Sequence, residues 1–516
     1  MPSTVGSELR HHKSHIQHFS IGWDKKNPSE RHAHHPSWHS DLMQTDRVGP
    51  VPAADVRARR REQRGWYFYD WASQPMYTSV TTTFGALFLS ALAKEDAKQD
   101  IARNGPRPCV GPDGTESALH SCDVTLLGWA LPAGVVWNYL VAAALIAQVI
   151  VLPIAGAIND RSHNRKRILG TLAFIGATAV ALMVFAAGDN WQLAALLYLM
   201  GQVAAGASII VYYSFLIDVA EPDERDAVSS RGWALGYLGG ALALAIQLVL
   251  VFTHDAVGLS QGEAVRVAFL LSGLWWAAFT LIPLRRIVQR SDPPPLTDSR
   301  SVLVAGFGEL RDTVRGAAAV PLTLLFLGAY LVYNDGVATV INVSAQYGDQ
   351  ELGFGAEVLT VTILVVQLIA FVGAWAIGRV AVRVGAKRAI LGCLVLWVGV
   401  LIAAYFLQPG DKLMFWTVAA GIGFVLGGTQ ALSRSLYSQL IPPGKEGQYF
   451  SLYEMTERGT SWMGPLVFGI VASATGSFRP AIVALTVFFV LGFALLTLVP
   501  VRKAIQAAGN QPPVRV

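Results

Sequence analysis

The stretch Gly156-Ala-Ile-Asn-Asp-Arg-Ser-His-Asn-Arg-Lys-Arg167 is a short polar turn between two long apolar runs. Each of these runs, at about 130–158 and 168–188, has roughly the ~20 residues that a helix needs to cross a bilayer. A basic turn between two such runs is typical of helices that leave and re-enter a membrane on its cytoplasmic side. The stretch therefore predicts a membrane-spanning helical protein.

The same alternation of apolar runs and polar turns continues along the chain. Spans are predicted at about 66–93, 130–158, 168–188, 191–217, 232–253, 265–286, 320–344, 358–382, 387–408, 412–437, 449–474 and 479–501. Of the 516 residues, 53% are hydrophobic and only 15% are charged, whereas a soluble domain carries about 25% charged residues. We therefore predict an all-α polytopic membrane protein of about twelve transmembrane helices, with the lipid bilayer as its surroundings.

The predicted spans form two sets of six around a polar break. The break contains Pro293, Pro294 and Pro295 with several arginines, which is typical of a linker. The predicted order is a disordered, His-rich cytoplasmic tail (1–60), an N-terminal six-helix half (61–286), a cytoplasmic linker (287–319), a C-terminal six-helix half (320–503) and a short tail (504–516). The irregular spacing of the tail histidines favours a solvated segment over a metal site.

Lysine and arginine are concentrated in one set of loops. They precede the first span, follow the sixth, and separate the second span from the third and the eighth from the ninth, while the opposite loops are nearly free of them. By the positive-inside rule, both termini are cytoplasmic, and no sorting feature argues against the cell membrane. The basic residues are not interleaved with exposed aromatic residues, so a nucleic-acid partner is not predicted.

Cysteine usage and motifs exclude several classes of chemistry. Cys109 and Cys122 share the one long loop that is predicted to face outward, where they could form a disulfide or remain thiols, and Cys393 lies in an apolar run. The spans contain no CxxC pair and no phosphate-binding Gly-x-x-x-x-Gly-Lys motif. We therefore predict no cofactor, no metal and no direct use of ATP.

The turn at 156–167 has a counterpart in the second half. The turn between the eighth and ninth spans reads Gly378-Arg-Val-Ala-Val-Arg-Val-Gly-Ala-Lys-Arg388, without the carboxylate that Asp160 supplies in the first copy. A small residue before the turn lets helices approach, and a carboxylate beside a basic cluster can pair with neighbouring helix ends when that side is closed. The repeated turn resembles the cytoplasmic-loop signature of the major facilitator superfamily.

Four further segments narrow this resemblance. They are Tyr69-Asp70-Trp71-Ala72, Ser229-Ser230-Arg231-Gly232, Tyr333-Asn334-Asp335-Gly336 and Gly427-Gly428-Thr-Gln430-Ala-Leu-Ser433-Arg434-Ser435. Together they resemble the vacuolar amino-acid effluxer family, a branch of the superfamily with bacterial members, from about Trp66 to Val501. The resemblance implies the major facilitator fold and secondary transport, with amino-acid export by the eukaryotic relatives.

Asp335 is the clearest candidate for a functional residue. It lies about fifteen residues into a span that starts near Pro321, which places it about 20 Å deep. An ionisable group at this depth costs at least ~2.5 kcal/mol, so it should face a water-filled cavity or a partner. We predict that Asp335, with Tyr333 and Asn334, binds a cationic group of the substrate or a coupling ion, either a proton or Na⁺. Structural pairing with a neighbouring helix is the alternative.

Other charged residues are predicted to bind or gate near the cytoplasmic surface. Asp70 lies one turn into the first span, where Pro75 should free a backbone carbonyl, and it is a candidate for substrate or proton binding and for an inner gate. The predicted gate residues are Asp160, Arg161, Arg434, Glu454, Glu457 and Arg458. Their charges should pair when the cytoplasmic side is closed, and a solvated helix end is the alternative.

The favoured function is therefore secondary active transport of a small solute by alternating access, and the family resemblance adds amino-acid efflux. A membrane-embedded enzyme is an alternative that would use Asp70 with Glu454 or Glu457. A non-transporting receptor or scaffold is another, and it predicts a packed centre without a cavity around Asp335.

Overall fold

A computed structural model describes residues 53–111, 118, 121–126, 128–290, 320–459 and 462–516. The spans of the first half are Ala53–Pro75 with Met76–Phe84 and Gly85–Gln99, then Val136–Asp160, Arg165–Leu182, Trp191–Ser214, Arg225–Phe252 and Gln261–Arg286. Those of the second half are Pro321–Gln350, Ala356–Val384, Ala386–Tyr405, Lys412–Gln439, Glu446–Gly459 with Met463–Thr475, and Phe478–Ala484 with Thr486–Leu498. They are numbered one to twelve below.

Eleven helical segments in the described part of the chain are long and apolar enough to cross a membrane. The eleventh span is not among them because it is divided into two helices, Glu446–Gly459 and Met463–Thr475. Counted with this divided helix, the spans confirm the predicted all-α polytopic fold of about twelve helices. Most of the predicted linker, from residue 291 to 319, and the predicted tail as far as residue 52 lie outside the described residues.

The first span begins earlier than predicted, at Ala53, so the disordered tail predicted for 1–60 is wrong for its last eight residues. The stretch from Val56 to Arg64 is rich in Arg, Glu and Gln, which favour helix, and it contains no Gly or Pro. Arg290 donates to both carboxylate oxygens of Glu62, at 2.6 and 2.9 Å, and this contact raises the pKa of the Arg290 guanidinium. The extension is therefore tied to the chain that follows the sixth span.

The middle of the first span is a wide π-helix, Met76–Phe84. Pro75 has no backbone N–H for the carbonyl of Trp71, and the indole Nε1 of Trp275 in the sixth span donates to that carbonyl instead, at 3.0 Å. The hydroxyls of three successive threonines donate to carbonyls five residues earlier: Thr81 to Met76, Thr82 to Tyr77 and Thr83 to Thr78. The predicted break at Pro75 is thus a widened helix in which the freed carbonyl and the threonine hydroxyls find partners, while the hydroxyls of Tyr77 and Ser79 have none among the described residues.

The long loop between the first two spans carries the described strands. Asp123–Leu126 pairs antiparallel with Trp129–Pro132, and Cys109 and Cys122 form a disulfide. The short helices and helical turns of the described chain are Ile101–Asn104, Ala133–Val135, Met183–Phe185, Leu216–Val219, His254–Val257 and Val501–Ala507.

The chain after the twelfth span packs against both halves. The predicted boundary at residue 503 falls inside the helix Val501–Ala507. Asn510 donates to the carbonyls of Gln439 and Ile441 at 2.9 and 2.7 Å, and the backbone N–H of Val514 donates to Asp223, at 2.7 Å. The predicted short tail therefore lies against the ends of the spans where the basic loops are found.

Glycines let the helices at the centre approach closely. A Cβ on Gly236 of the fifth span would lie 3.1 Å from the Cβ of Asp70, and one on Gly239 would lie 2.9 Å from the carbonyl of Trp71. A Cβ on Gly378 of the eighth span would lie only 2.3 Å from that of Ser230. The fifth span is thereby held against the first span of its own half and the eighth span of the other.

Candidate functional site

A buried ion pair joins the first and tenth spans. Arg434 Nη1 and Nη2 both lie 3.1 Å from Asp70 Oδ2, and the hydroxyl of Tyr212 donates to the same oxygen at 2.7 Å. Arg434 is 0% exposed. Two charges taken out of water in this way are stable only when their geometry is good and their remaining polar atoms are satisfied.

The remaining donors of Arg434 are also satisfied by the first half. Its Nε donates to Ser229 Oγ and its Nη2 to the Ser229 carbonyl, each at 2.9 Å. The guanidinium also lies over aromatic rings of Trp66, Tyr213, Trp233 and Tyr212, with its central carbon 4.8, 4.8, 5.3 and 5.7 Å from their centroids. A side chain of the second half is thus enclosed by groups of the first, through charge, hydrogen bonds and cation–π contact.

Asp160, the last residue of the second span, contacts the start of the eleventh span. Its carboxylate accepts the backbone N–H groups of Gly447 and Gln448 at 2.6 and 2.9 Å, in the first turn of Glu446–Gly459. A helix N-terminus presents unpaired N–H groups and a partial positive charge, so a carboxylate is favourable there. Because a Cβ on Gly447 would lie 2.5 Å from the carbonyl of Gly156, the two halves touch here through backbone.

The polar turn after Asp160 is organised by a residue that was not singled out from the sequence. Arg165 forms a buried ion pair with Asp218 at 3.0 Å, and it donates to Ser214 at 2.6 Å and to Asn159 at 3.3 Å. Arg161, the predicted gate residue, is partly exposed. The contacts of Arg165 fix the turn to the end of the fourth span.

A charged cluster lies near the middle of the membrane. Arg458 pairs with Glu454 one turn before it, and its Nε donates to Gln148 Oε1 at 2.5 Å. Glu457 accepts the hydroxyl of Tyr330 at 2.9 Å. Gln148 is the middle residue of Val136–Asp160, and Arg458 lies about 18 Å along the helix from Glu446. The expectation that these charges lie near the cytoplasmic surface is therefore wrong, because Arg458 is level with the middle of the second span.

Asp335 lies where the eleventh span is divided. Its Oδ2 accepts the backbone N–H of Gly464 at 2.7 Å, in the first turn of Met463–Thr475. Its Oδ1 has no hydrogen-bond partner among the described residues, and neither does the hydroxyl of Thr339 one turn later. Asp335 is 1% exposed, so it faces a partner and not open water in this conformation.

The neighbours of Asp335 contact the tenth span. The hydroxyl of Tyr333 lies 2.6 Å from Ser433 Oγ, and the side-chain oxygen of Asn334 accepts from Gln430 at 2.9 Å. Two of the four segments that carried the family resemblance therefore meet in space. The other two also meet, because Asp70 and Ser229 both bind Arg434.

The structure separates the predicted residues into three layers. Asp160 lies at the end of the spans where the basic loops are found, which is called the basic end below. Asp70 and Arg434 lie deeper, and Asp335 and the charged residues of the eleventh span lie near the midplane. Asp70 is held by Arg434 and Glu454 by Arg458, while Glu457, the third carboxylate of the enzyme alternative, accepts the hydroxyl of Tyr330. No group of three His, Cys, Asp or Glu residues that could hold a metal occurs in the parts of the chain described above.

The partners that sequence reasoning missed are mostly uncharged. Ser229, Tyr212, Tyr330 and the backbone of Gly447 complete these contacts, and only the polarity of Gln148 within an apolar run could have indicated one. Hydroxyls and backbone N–H groups are common in spans, so they carry no pattern that distinguishes them.

Comparisons with known proteins agree with this architecture. The family model described as "Vacuole effluxer Atg22 like" matches residues 58–509. The chain is 27% identical to the uncharacterized MFS-type transporter YxiO of Bacillus subtilis, over 87% of this chain and 97% of the relative. It is also 27% identical to autophagy-related protein 22-2 of Emericella nidulans, over 87% and 92% of the two chains. Among solved structures, the human organic anion transporter MFSD10 aligns with a TM-score of 0.59 at 15% identity, over 85% and 99% of the chains, and it shares the fold.

Proposed function

The chain belongs to the Atg22-like vacuole effluxer family of membrane transporters, and from this membership and the geometry above we propose that it is a secondary active transporter of a small zwitterionic solute, such as an amino acid. The two halves would rock against each other, exposing a central site to each side in turn. Contacts of Asp160 and Arg434 with the opposite half describe one end of that cycle, in which the basic end is closed.

The observation that carries the substrate class is the pairing of opposite charges near the midplane. Arg458 provides a planar fork that suits a carboxylate, and Glu454 and Glu457 provide acceptors for an ammonium group. An amino acid carries both groups on one carbon, so it could engage one turn of this helix. Gln148 belongs to the other half, so a solute bound to Arg458 would lie between the halves.

Asp335 is proposed as the position of the coupling ion. Among the described residues, one carboxylate oxygen of Asp335 has no partner, and neither has the hydroxyl of Thr339 one turn later, so this buried oxygen has room in its bonding for a proton or a small cation. The division of the eleventh span at this point adds to the case, because broken helices border ion sites in many transporters.

Orientation and direction are part of the same proposal. With the basic loops inside, both termini are cytoplasmic, and the closed basic end is the cytoplasmic gate. Efflux across the cell membrane then means that the solute is taken up at the basic end and released at the other.

Counterflow in proteoliposomes tests the proposal. Proteoliposomes that contain the wild type or Arg458→Gln are loaded with unlabelled amino acids or other small polar solutes. The uptake of each labelled solute is then compared between the two proteins. The matched control is Arg388→Gln, which removes an exposed charge at the basic end. Exchange of an amino acid that is lost only in Arg458→Gln supports the zwitterion site. Exchange of no solute, or equal exchange in all three proteins, contradicts it.

Asp335→Asn separates coupling from binding. Exchange without a gradient should survive in this variant, while accumulation driven by a pH or Na⁺ gradient should be lost, and the gradient that drives the wild type identifies the ion. If gradient-driven accumulation is unchanged, Asp335 has only a structural role, which is to accept the backbone N–H of Gly464 at the start of Met463–Thr475.

One observation favours a receptor or scaffold, namely the burial of Asp335, which is 1% exposed. A transporter also packs its centre in part of its cycle, so burial in one conformation does not separate the two classes. Solute exchange does, because a scaffold catalyses none.

A further inference from the structure

Two adjoining cavities open where the halves meet at the basic end. The larger, of about 590 Å³, has walls from the first and fifth spans, including Arg60, Arg64 and Arg231. The smaller, of about 300 Å³, includes Arg379 and Arg383 of the eighth span. Both are lined by Ala227, Arg231 and Val382, so they adjoin, and together they are called the seam pocket below.

The seam pocket carries an excess of positive charge. Five arginines line it, and its two carboxylates are already engaged. Asp223 accepts the backbone N–H of Val514 at 2.7 Å, and Glu224 accepts from Gln63 at 3.0 Å. The guanidinium groups of Arg60 and Arg64 form no ion pair with a described residue. A pocket in which two of five guanidinium groups lack an ion pair is suited to a phosphate, which Arg binds with two parallel hydrogen bonds.

The fifth and eighth spans meet at the floor of the pocket. Ser230 and Gly378 lie in contact there, since a Cβ on Gly378 would be 2.3 Å from the Cβ of Ser230. Asp70 and Arg434 lie on the inner side of the fifth span, next to Gly232. The pocket is therefore a separate site and not an entrance to the candidate transport path.

The pocket also borders the surface that faces lipid. Trp375 is 46% exposed, and the guanidinium of Arg379 stacks on its ring, 3.3 Å from the centroid. Val382 and the neighbouring Val380 are 45% and 48% exposed on the same helix. Exposed apolar residues and a tryptophan beside a basic pocket place it at the depth of phospholipid headgroups.

From this juxtaposition we infer that the seam pocket binds the headgroup of one anionic phospholipid from the leaflet at the basic end. A soluble anion would need only the arginines. The lipid also accounts for the exposed apolar wall along which its acyl chains would lie. Because the walls come from both halves, a bound headgroup would join the first and fifth spans to the eighth and stabilise the closed basic end.

Retention of lipid by the purified full-length chain tests the inference independently of transport. Protein from nanodiscs of phosphatidylcholine with about one-third phosphatidylglycerol is transferred to detergent, and bound phosphatidylglycerol is measured by native mass spectrometry. We expect one tightly held molecule on the wild type. In Arg60→Gln/Arg231→Gln/Arg383→Gln its affinity should fall at least ~10-fold.

Two matched proteins make the result specific. Arg167→Gln/Arg285→Gln/Arg388→Gln removes three exposed charges from the same end without touching the pocket and should retain the lipid. Arg60→Lys/Arg231→Lys/Arg383→Lys keeps the charge and should retain it in part. Equal loss of lipid in the pocket and control triples overturns the inference. Complete displacement of the lipid by about 10 mM inorganic phosphate also overturns it, because the pocket would then be a site for a soluble anion.

Discussion

Arg434 reaches from the tenth span to Asp70 of the first, a partner 364 positions away in the chain, and binds it with two guanidinium nitrogens at 3.1 Å. Protein encloses the guanidinium completely, because Arg434 is 0% exposed, and Asp70 is buried at 7% exposed. The contact holds the two halves together on the side of the basic loops. If the halves move apart there during transport, this ion pair must break and each charge must find water or solute in its place.

Removing one partner of this pair should destabilise the protein more than removing both. Asp70→Asn and Arg434→Gln each leave one buried charge uncompensated, which typically costs about 3–5 kcal/mol. The double variant leaves neither charge, so its loss should be clearly smaller than the sum of the two single losses. Unfolding in detergent, followed by circular dichroism, measures the cycle. Additive losses would mean that the pair does not act as a unit, and Arg266→Gln in the more exposed Arg266–Glu263 pair should cost less than about 1 kcal/mol.

Gly447→Ala should prevent the basic end from closing. Its Cβ would lie 2.5 Å from the Gly156 carbonyl, and the contacting atom is backbone that cannot move aside. Spin labels at His163 and Lys445 should report a longer and broader distance in this variant than in the wild type. Gly392→Ala, where nothing lies within 4 Å, provides the control. An unchanged distance in Gly447→Ala would show that the helices accommodate a methyl group.

Trp275→Phe should destabilise the first span, and Pro75→Ala should restore it. The phenyl ring can still stack near Trp71, but the carbonyl of Trp71 loses the indole N–H at 3.0 Å, and an unsatisfied buried acceptor costs about 1–3 kcal/mol. Alanine at position 75 supplies a backbone N–H to the same carbonyl.

The unfolding free energies of the two single variants and the double variant provide the test. A double variant no more stable than Trp275→Phe would contradict the assigned hydrogen bond. Trp129→Phe, at an exposed tryptophan, should leave stability within about 0.5 kcal/mol of the wild type.

Gln148→Leu should impair transport without unfolding the protein. Gln148 is the group of the first half that accepts from Arg458, and a hydrogen bond to a charged group contributes about 1.5–3 kcal/mol. Uptake of the solute found by counterflow should therefore fall about 10- to 100-fold. Tyr330→Phe, which removes the hydroxyl bound to Glu457, should give a loss in the same range, while Tyr405→Phe at an exposed tyrosine should not. Wild-type rates in both of the first two variants would exclude the midplane cluster from the transport path.

Several features of the site could be expected from residues alone. Asp335, Asp70 and Arg434 are costly inside a membrane, and that cost was enough to single them out. Their partners could not be expected, because a hydroxyl of Ser229 or Tyr212 resembles every other hydroxyl in the spans. The division of the eleventh span into Glu446–Gly459 and Met463–Thr475 could not be expected either, since the sequence predicts one continuous span at about 449–474.

The sequence by itself determined the number of spans, their division into two halves and the class of protein. It could do so because hydrocarbon leaves no backbone group unpaired, so each long apolar run must be a helix. Tertiary structure alone decided that Arg434 binds Asp70, that Asp335 and Asp160 lie at helix N-termini of the eleventh span, and that five arginines of both halves line the two adjoining cavities of the seam pocket. These relations join residues far apart in the chain, and only the packing of helix on helix fixes which side chains meet.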